Sequence, residues 1–154
     1  IESYVDTFKP DGILLSGGND LGEYVSRDNF EKEILLFSKK NSIPIFGICR
    51  GLQLLNSFCD GTLIRIKGHC NTRHMLKGEK GFNNREVNSY HNYGVTLKTL
   101  GNDLTPLAFT EDGCIEAIQH NRYPWIAIMW HPEREKIMNH NDLEVIQQHF
   151  KSLI

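Results

Sequence analysis

The chain has 154 residues, 40% of them apolar, with 17 basic and 19 acidic side chains and a formal net charge of -2. That is enough for one core, so a single domain over residues 1–154 is expected, and a disordered or fibrous chain is excluded. The near-neutral charge gives no field for nucleic acid. No stretch approaches the roughly 20 apolar residues that would span a membrane, so a cytoplasmic protein acting on a small molecule is expected.

The chain opens at Ile1 without methionine, and Ile1 to Phe8 reads as the second half of a surface helix. Ile13 to Ser16, ended by Gly17-Gly18, suits a buried strand. Asp28 with Glu31 three residues on reads as a capping box, and Phe30, Ile34 and Phe37 follow at helical spacing. Ile43 to Ile48 is a second strand with Pro44 at its start, and Gly51 to Cys59 a second helix with Leu52, Leu55 and Phe58 inward. Strand, helix, strand predicts a right-handed parallel crossover.

Lys67 to Asn84 is polar and glycine-rich and reads as a lid-like excursion. Strands are expected at Glu86 to Ser89 and Tyr93 to Leu97, and Asp112-Gly113 marks a hairpin with a type I′ turn. Trp125 to Trp130 is a last buried strand. Asp142 caps a terminal helix that turns Leu143, Ile146, Phe150 and Leu153 inward. The sum is an α/β fold, an open three-layer, mostly parallel sheet of flavodoxin-like type.

In such a sheet ligands bind beyond the carboxyl ends of the strands. There the sequence places Gly17-Gly18, Cys49 and His131. Gly47-Ile48-Cys49-Arg50-Gly51 fits a nucleophile elbow, in which small neighbours expose the central residue and the next helix favours a thiolate. A cysteine nucleophile needs a histidine base with its own orienting group. His131-Pro132-Glu133 supplies both if the segment is extended, since side chains two apart then share a face. The N–H groups of Arg50 and Gly18 are the candidate oxyanion donors. Cys49, Cys59, Cys70 and Cys114 have no disulfide spacing. His69, Cys70 and His74 lack a second ligand pair at zinc-finger spacing, so no metal is expected, and Lys67, Arg73 and Lys77 read as a solvated face that can meet an anionic substrate.

The stretches LSGGND, GICRGLQLLN, VNSYHN and MWHPER, in this order, resemble the class I glutamine amidotransferase-like superfamily, whose hydrolytic branch includes the gamma-glutamyl hydrolases. The resemblance covers most of the chain. It implies Cys49 as nucleophile, His131 as base and acid, Glu133 as its orienting partner, the N–H groups of Gly18 and Arg50 as oxyanion hole, and Gln53 beside the glutamyl substrate. Gly17, Asn88, Ser89 and His91 join the implied substrate side. It also implies that no cofactor is needed. Glutaminase domains that feed ammonia to a synthase usually carry an apolar or aromatic residue after the cysteine. Arg50 there, with Asn88 to His91, points to the hydrolases acting on a gamma-glutamyl conjugate. A glutaminase with a synthase partner, a homo-oligomer and a non-catalytic domain on the same fold stay open. Members of the superfamily carry a further strand and helix before the segment matching Ile1, and these are expected to be missing here.

Overall fold

The computed structural model describes residue 5, residues 7–79 and residues 81–151. Of the opening helix, Val5, Thr7 and Phe8 are helical, and Ile1 to Tyr4 lie outside the described residues, as does Leu153. The main sheet has six strands in the order β1 (Ile13–Leu15), β2 (Ile45–Ile48), β10 (Trp125–Ile128), β9 (Ile115–His120), β8 (Leu104–Phe109) and β5 (Lys77–Gly78). β1, β2 and β10 run parallel, whereas β10, β9, β8 and β5 pair antiparallel. The sheet is therefore mixed, with the parallel arrangement confined to the half that carries the candidate site.

Helices α1 (Val25–Asn41) and α2 (Arg50–Phe58) cover one face. Trp125 of β10 ties them there, its indole N–H donating to Ser38 Oγ at 2.7 Å while its ring meets Phe58 edge-on. Phe46 points the other way along β2 and meets His149 of α3 (His140–Lys151), whose Nε2 is 2.9 Å from the Ile45 carbonyl. Leu35, Ile45, Phe46, Leu52, Leu54, Ala117, Ala127 and Met129 are fully buried between these layers. Each such aliphatic or aromatic side chain contributes about 1.5–3 kcal/mol by leaving water.

Several expectations are corrected. Asp28 and Glu31 lie inside α1, not at its start, and are buried. The inward face of α1 is therefore Asp28, Glu31, Leu35 and Ser38, and Phe30 is left half exposed. Asp142 does not cap α3. Asn139 does, its Oδ1 accepting the Asn141 N–H at 2.9 Å, while Asp142 is buried against Arg85 and the Trp130 indole N–H. Leu143 is exposed.

The Asp112-Gly113 hairpin exists, but only Gly113 has positive φ (85°). Thr110 O accepts from Gly113 N–H, and Thr110 N–H donates to Cys114 O, which makes a three-residue loop closed by a glycine bulge instead of a type I′ turn. The middle segment is no loose lid. Cys70–Met75 forms β4, paired antiparallel with β6 (Glu86–Tyr90), and β5 joins the main sheet. Tyr93–Gly94 (β7) pairs with Ile64–Arg65 (β3), and Leu97, beyond it, is exposed.

Candidate functional site

Cys49 sits between β2 and α2 with φ 50° and ψ -99°, a strained conformation for a side-chain-bearing residue. Its neighbours must be small. A Cβ on Gly51 would lie 2.6 Å from Leu15 O, and one on Gly47 would lie 2.9 Å from both Ala127 Cβ and the Gly51 carbonyl carbon. Cys49 N–H donates to Ile128 O at 2.7 Å, which locks the elbow to β10.

β2 and β10 are in register from Ile45↔Trp125 to Ile48↔Ile128, so Cys49 and His131 leave the sheet at the same edge. The imidazole of His131 packs on the loop after β1, where a Cβ on Gly17 would come within 2.7 Å of its Cε1. His131 Nδ1 is 2.5 Å from Glu133 Oε1, whereas Nε2 is buried with no hydrogen-bond partner among the described residues. Glu133 reaches the ring from a 3-10 turn, Pro132–Arg134, and not from an extended segment as the sequence suggested.

The thiol is not pre-activated. Burial pushes the pKa of Cys49 up to about 12, against the Arg50 N–H and the Arg134 charge, which pull it down. Cys49 is only 5% exposed. The expected exposed thiolate is thus a buried thiol in the free protein.

Arg50 turns its side chain inward, fully buried, where its guanidinium pairs with Asp28 and Glu31 of α1. It therefore does not line a leaving-group site. Arg27 extends this network, bonding Glu31 at 2.8 Å and reaching the carbonyls of Ser16 and Gly17 at 3.2 Å each. Arg27 Nη1 would meet a Cβ on Gly18 at 2.3 Å. Gly18 has φ 151°. The arginines fix the loop and the elbow to one helix, and only the backbone N–H groups of Gly18 and Arg50 remain candidates for an oxyanion.

The residues expected on the substrate side are mostly committed elsewhere. Asn88 clamps the backbone of His131, accepting its N–H and donating to its carbonyl, both at 2.8 Å. Ser89 donates to His69 O at 2.6 Å, and Gln53 Nε2 donates to Tyr93 O at 3.0 Å. His91 is buried with Nδ1 2.9 Å from Tyr93 O, beside the ring of His69. Arg73, on the expected solvated face, bonds Glu86 and Glu135.

Arg27, Tyr90 and Arg134 escaped the sequence reading. Arg134 stacks on Tyr90, whose ring meets His131 edge-on. The alternation of β6 could have flagged Tyr90, but nothing in the sequence singles out Arg27 among the helix-surface cations.

A glutamine amidotransferase class-I family model matches residues 1–153. The gamma-glutamyl-CDP-amidate hydrolase of Campylobacter jejuni is 31% identical over 144 residues, 90% of this chain and 68% of that protein. The carbamoyl phosphate synthase small chain of Oceanobacillus iheyensis is 33% identical over 130 residues, 81% of this chain but only 34% of that protein. Among solved structures, a Thermoplasma acidophilum protein described as a GMP synthase subunit superposes with a TM-score of 0.78 at 23% identity, covering 98% of this chain and 75% of its own. That likeness speaks for the fold. Among the described residues, no helix is long and apolar enough to cross a membrane.

Proposed function

The chain belongs to the glutamine amidotransferase class-I family, and from that premise we propose that it hydrolyses a gamma-glutamyl amide through a glutamyl thioester on Cys49. The observation that carries this reading is that β2 and β10 end together, one in a cysteine on a strained elbow and the other leading to a histidine whose Nδ1 is held by Glu133 and whose Nε2 has no hydrogen-bond partner among the described residues. Glu133 accepts from Nδ1–H, so Nε2 is the basic nitrogen.

Because Cys49 rests as a thiol, its proton leaves for His131 Nε2 as the sulfur attacks. A C–S bond forms, and the carbonyl π pair moves onto oxygen, where the N–H groups of Gly18 and Arg50 receive it. On collapse the C–N bond breaks and His131 gives its proton to the leaving amine. Water, deprotonated by the same nitrogen, then attacks the thioester, releasing glutamate and the thiol.

The preference for a conjugate over free glutamine rests on the Campylobacter relative, since neither Arg50 nor Asn88 points to a leaving group. Incubation of the purified chain with gamma-glutamyl-CDP-amidate and with small gamma-glutamyl amines, read as glutamate release, tests it. No release from any conjugate, together with glutaminase activity switched on by a partner synthase, would favour the second reading. That reading is supported by the likeness to carbamoyl phosphate synthase small chains.

A further inference from the structure

Behind the candidate catalytic edge lies a second cluster that the mechanism does not use. Cys114, just before β9, and Glu116, within it, bring their ligand atoms close together. His69 precedes β4 and His91 follows β6. One ligand atom each from His69, Cys114 and Glu116 can be chosen so that all lie within 4.8 Å of one another. Glu116 Oε1 stands 3.6 Å from His69 Nδ1 and 3.5 Å from His91 Nε2.

None of these three atoms, nor Glu116 Oε2, has a hydrogen-bond partner among the described residues, although Glu116 is completely buried. The two histidines stand at ion-pair distance and favour the charged carboxylate, but without a close hydrogen bond its burial remains costly. The His69–Glu116 separation is long for a hydrogen bond but matches one edge of a tetrahedral zinc site, in which ligands about 2.0–2.3 Å from the metal stand about 3.3–3.8 Å apart.

The outer atoms fit as well. His69 Nε2 is 2.8 Å from Asp112 Oδ2, and His91 Nδ1 is 2.9 Å from Tyr93 O. Metal-bound histidines give their other N–H to a carboxylate or a backbone carbonyl in this way, which leaves the inner nitrogen unprotonated for the metal. Asp112 is itself held by Thr110 Oγ1 at 2.5 Å. A surface pocket lined by Lys67, His69, His74 and Asp112 opens beside His69.

We propose that a ring nitrogen of His69, Cys114 Sγ and a Glu116 oxygen form a binding site for a zinc-like divalent cation, tying β9 to the start of β4, with His91 Nε2 beside the same carboxylate. One thiolate, one imidazole and one carboxylate, with a position left for water, suit zinc or cobalt over calcium or magnesium. The site is independent of the hydrolase reading. Its test uses no activity measurement.

The chelator-treated chain is titrated with Co2+ while the visible and near-ultraviolet spectra are recorded, and Zn2+ is then added. The expected result is one equivalent bound with tetrahedral d–d bands and a thiolate-to-cobalt band, all displaced by zinc. Cys114→Ser should lose the thiolate band. Asp112→Asn, a change at an exposed residue that spares the fold, should weaken binding roughly 10–100-fold. Cys70→Ser should change nothing. An absence of cobalt bands, a thiolate band that survives Cys114→Ser, unchanged affinity in Asp112→Asn, or a band that disappears with Cys70→Ser would overturn the proposal.

Discussion

The parallel and antiparallel halves of the sheet treat buried polar groups in opposite ways. Beside β1, β2 and β10, two carboxylates hold the ends of the Arg50 guanidinium and the His131 backbone holds Asn88, and among the described residues the buried atoms left open there include His131 Nε2 and Arg50 Nε. Beside β9, Glu116 has both oxygens unsatisfied and two imidazole nitrogens turned towards it. Satisfied networks hold a backbone in place, whereas grouped unsatisfied atoms mark where something else binds. On the proposed reading the first half positions the two reacting atoms and the second receives a cation.

The comparison breaks most readily at Cys49. Cys49→Ala should lower turnover of a gamma-glutamyl conjugate by roughly 10⁴-fold or more, with the thermal melt nearly unchanged. A loss of less than tenfold in steady-state kinetics would move the chemistry away from the elbow.

Next in size is the buried ion cluster. Arg50→Met leaves Asp28 without its cation and Glu31 with Arg27 alone, and should cost about 3 kcal/mol in urea denaturation. Replacing all three with apolar residues should recover most of that. If Arg50→Met is neutral, the network is not what anchors α1 to the elbow.

Asn88 separates positioning from binding. Since its amide is spent on the His131 backbone, Asn88→Ala should reduce kcat by about 10–100-fold while KM stays within a few-fold. A rise in KM with kcat unchanged would restore the substrate role that the motif VNSYHN suggested.

The smallest effects concern the thiols. Plain iodoacetamide at neutral pH should label exposed Cys70 before Cys49, whereas an electrophilic glutamine analogue that binds the site should reverse the order in peptide maps. Burial also raises Cys59, to about 11. An acid whose folded pKa lies above its unfolded value of 9.0 leaves the native state holding more protons above that value. Stability should therefore fall as pH rises from about 9 towards 11, by up to about 1.4 kcal/mol per unit for each such thiol. Cys59→Ala should flatten part of the slope seen in melts across that range.

These tests also show how far the sequence could be read. The elbow, the His131–Glu133 contact and the strands that carry them were legible, because glycine spacing and apolar runs report local backbone and burial. The inward turn of Arg50 was not legible because nothing local says whether a cation after the nucleophile turns outward or into α1, and Asp28 and Glu31 imitated a cap for the same reason. The His69, His91, Cys114 and Glu116 cluster was illegible because its members come from three segments that only the β4–β6 pair and β9 bring together. Cys70 and His74, nearer in sequence to His69, do not belong to it.

The central claim is that glutamate passes through Cys49. Rapid acid quenching during turnover of a gamma-glutamyl conjugate, followed by peptide mass mapping, tests it directly. The account predicts a glutamyl adduct on the peptide bearing Cys49 that appears within one turnover, accumulates further in a variant slowed at thioester hydrolysis, and is absent from Cys49→Ala. Glutamate released at an undiminished rate by Cys49→Ala, with no adduct on the unmodified chain, would contradict it.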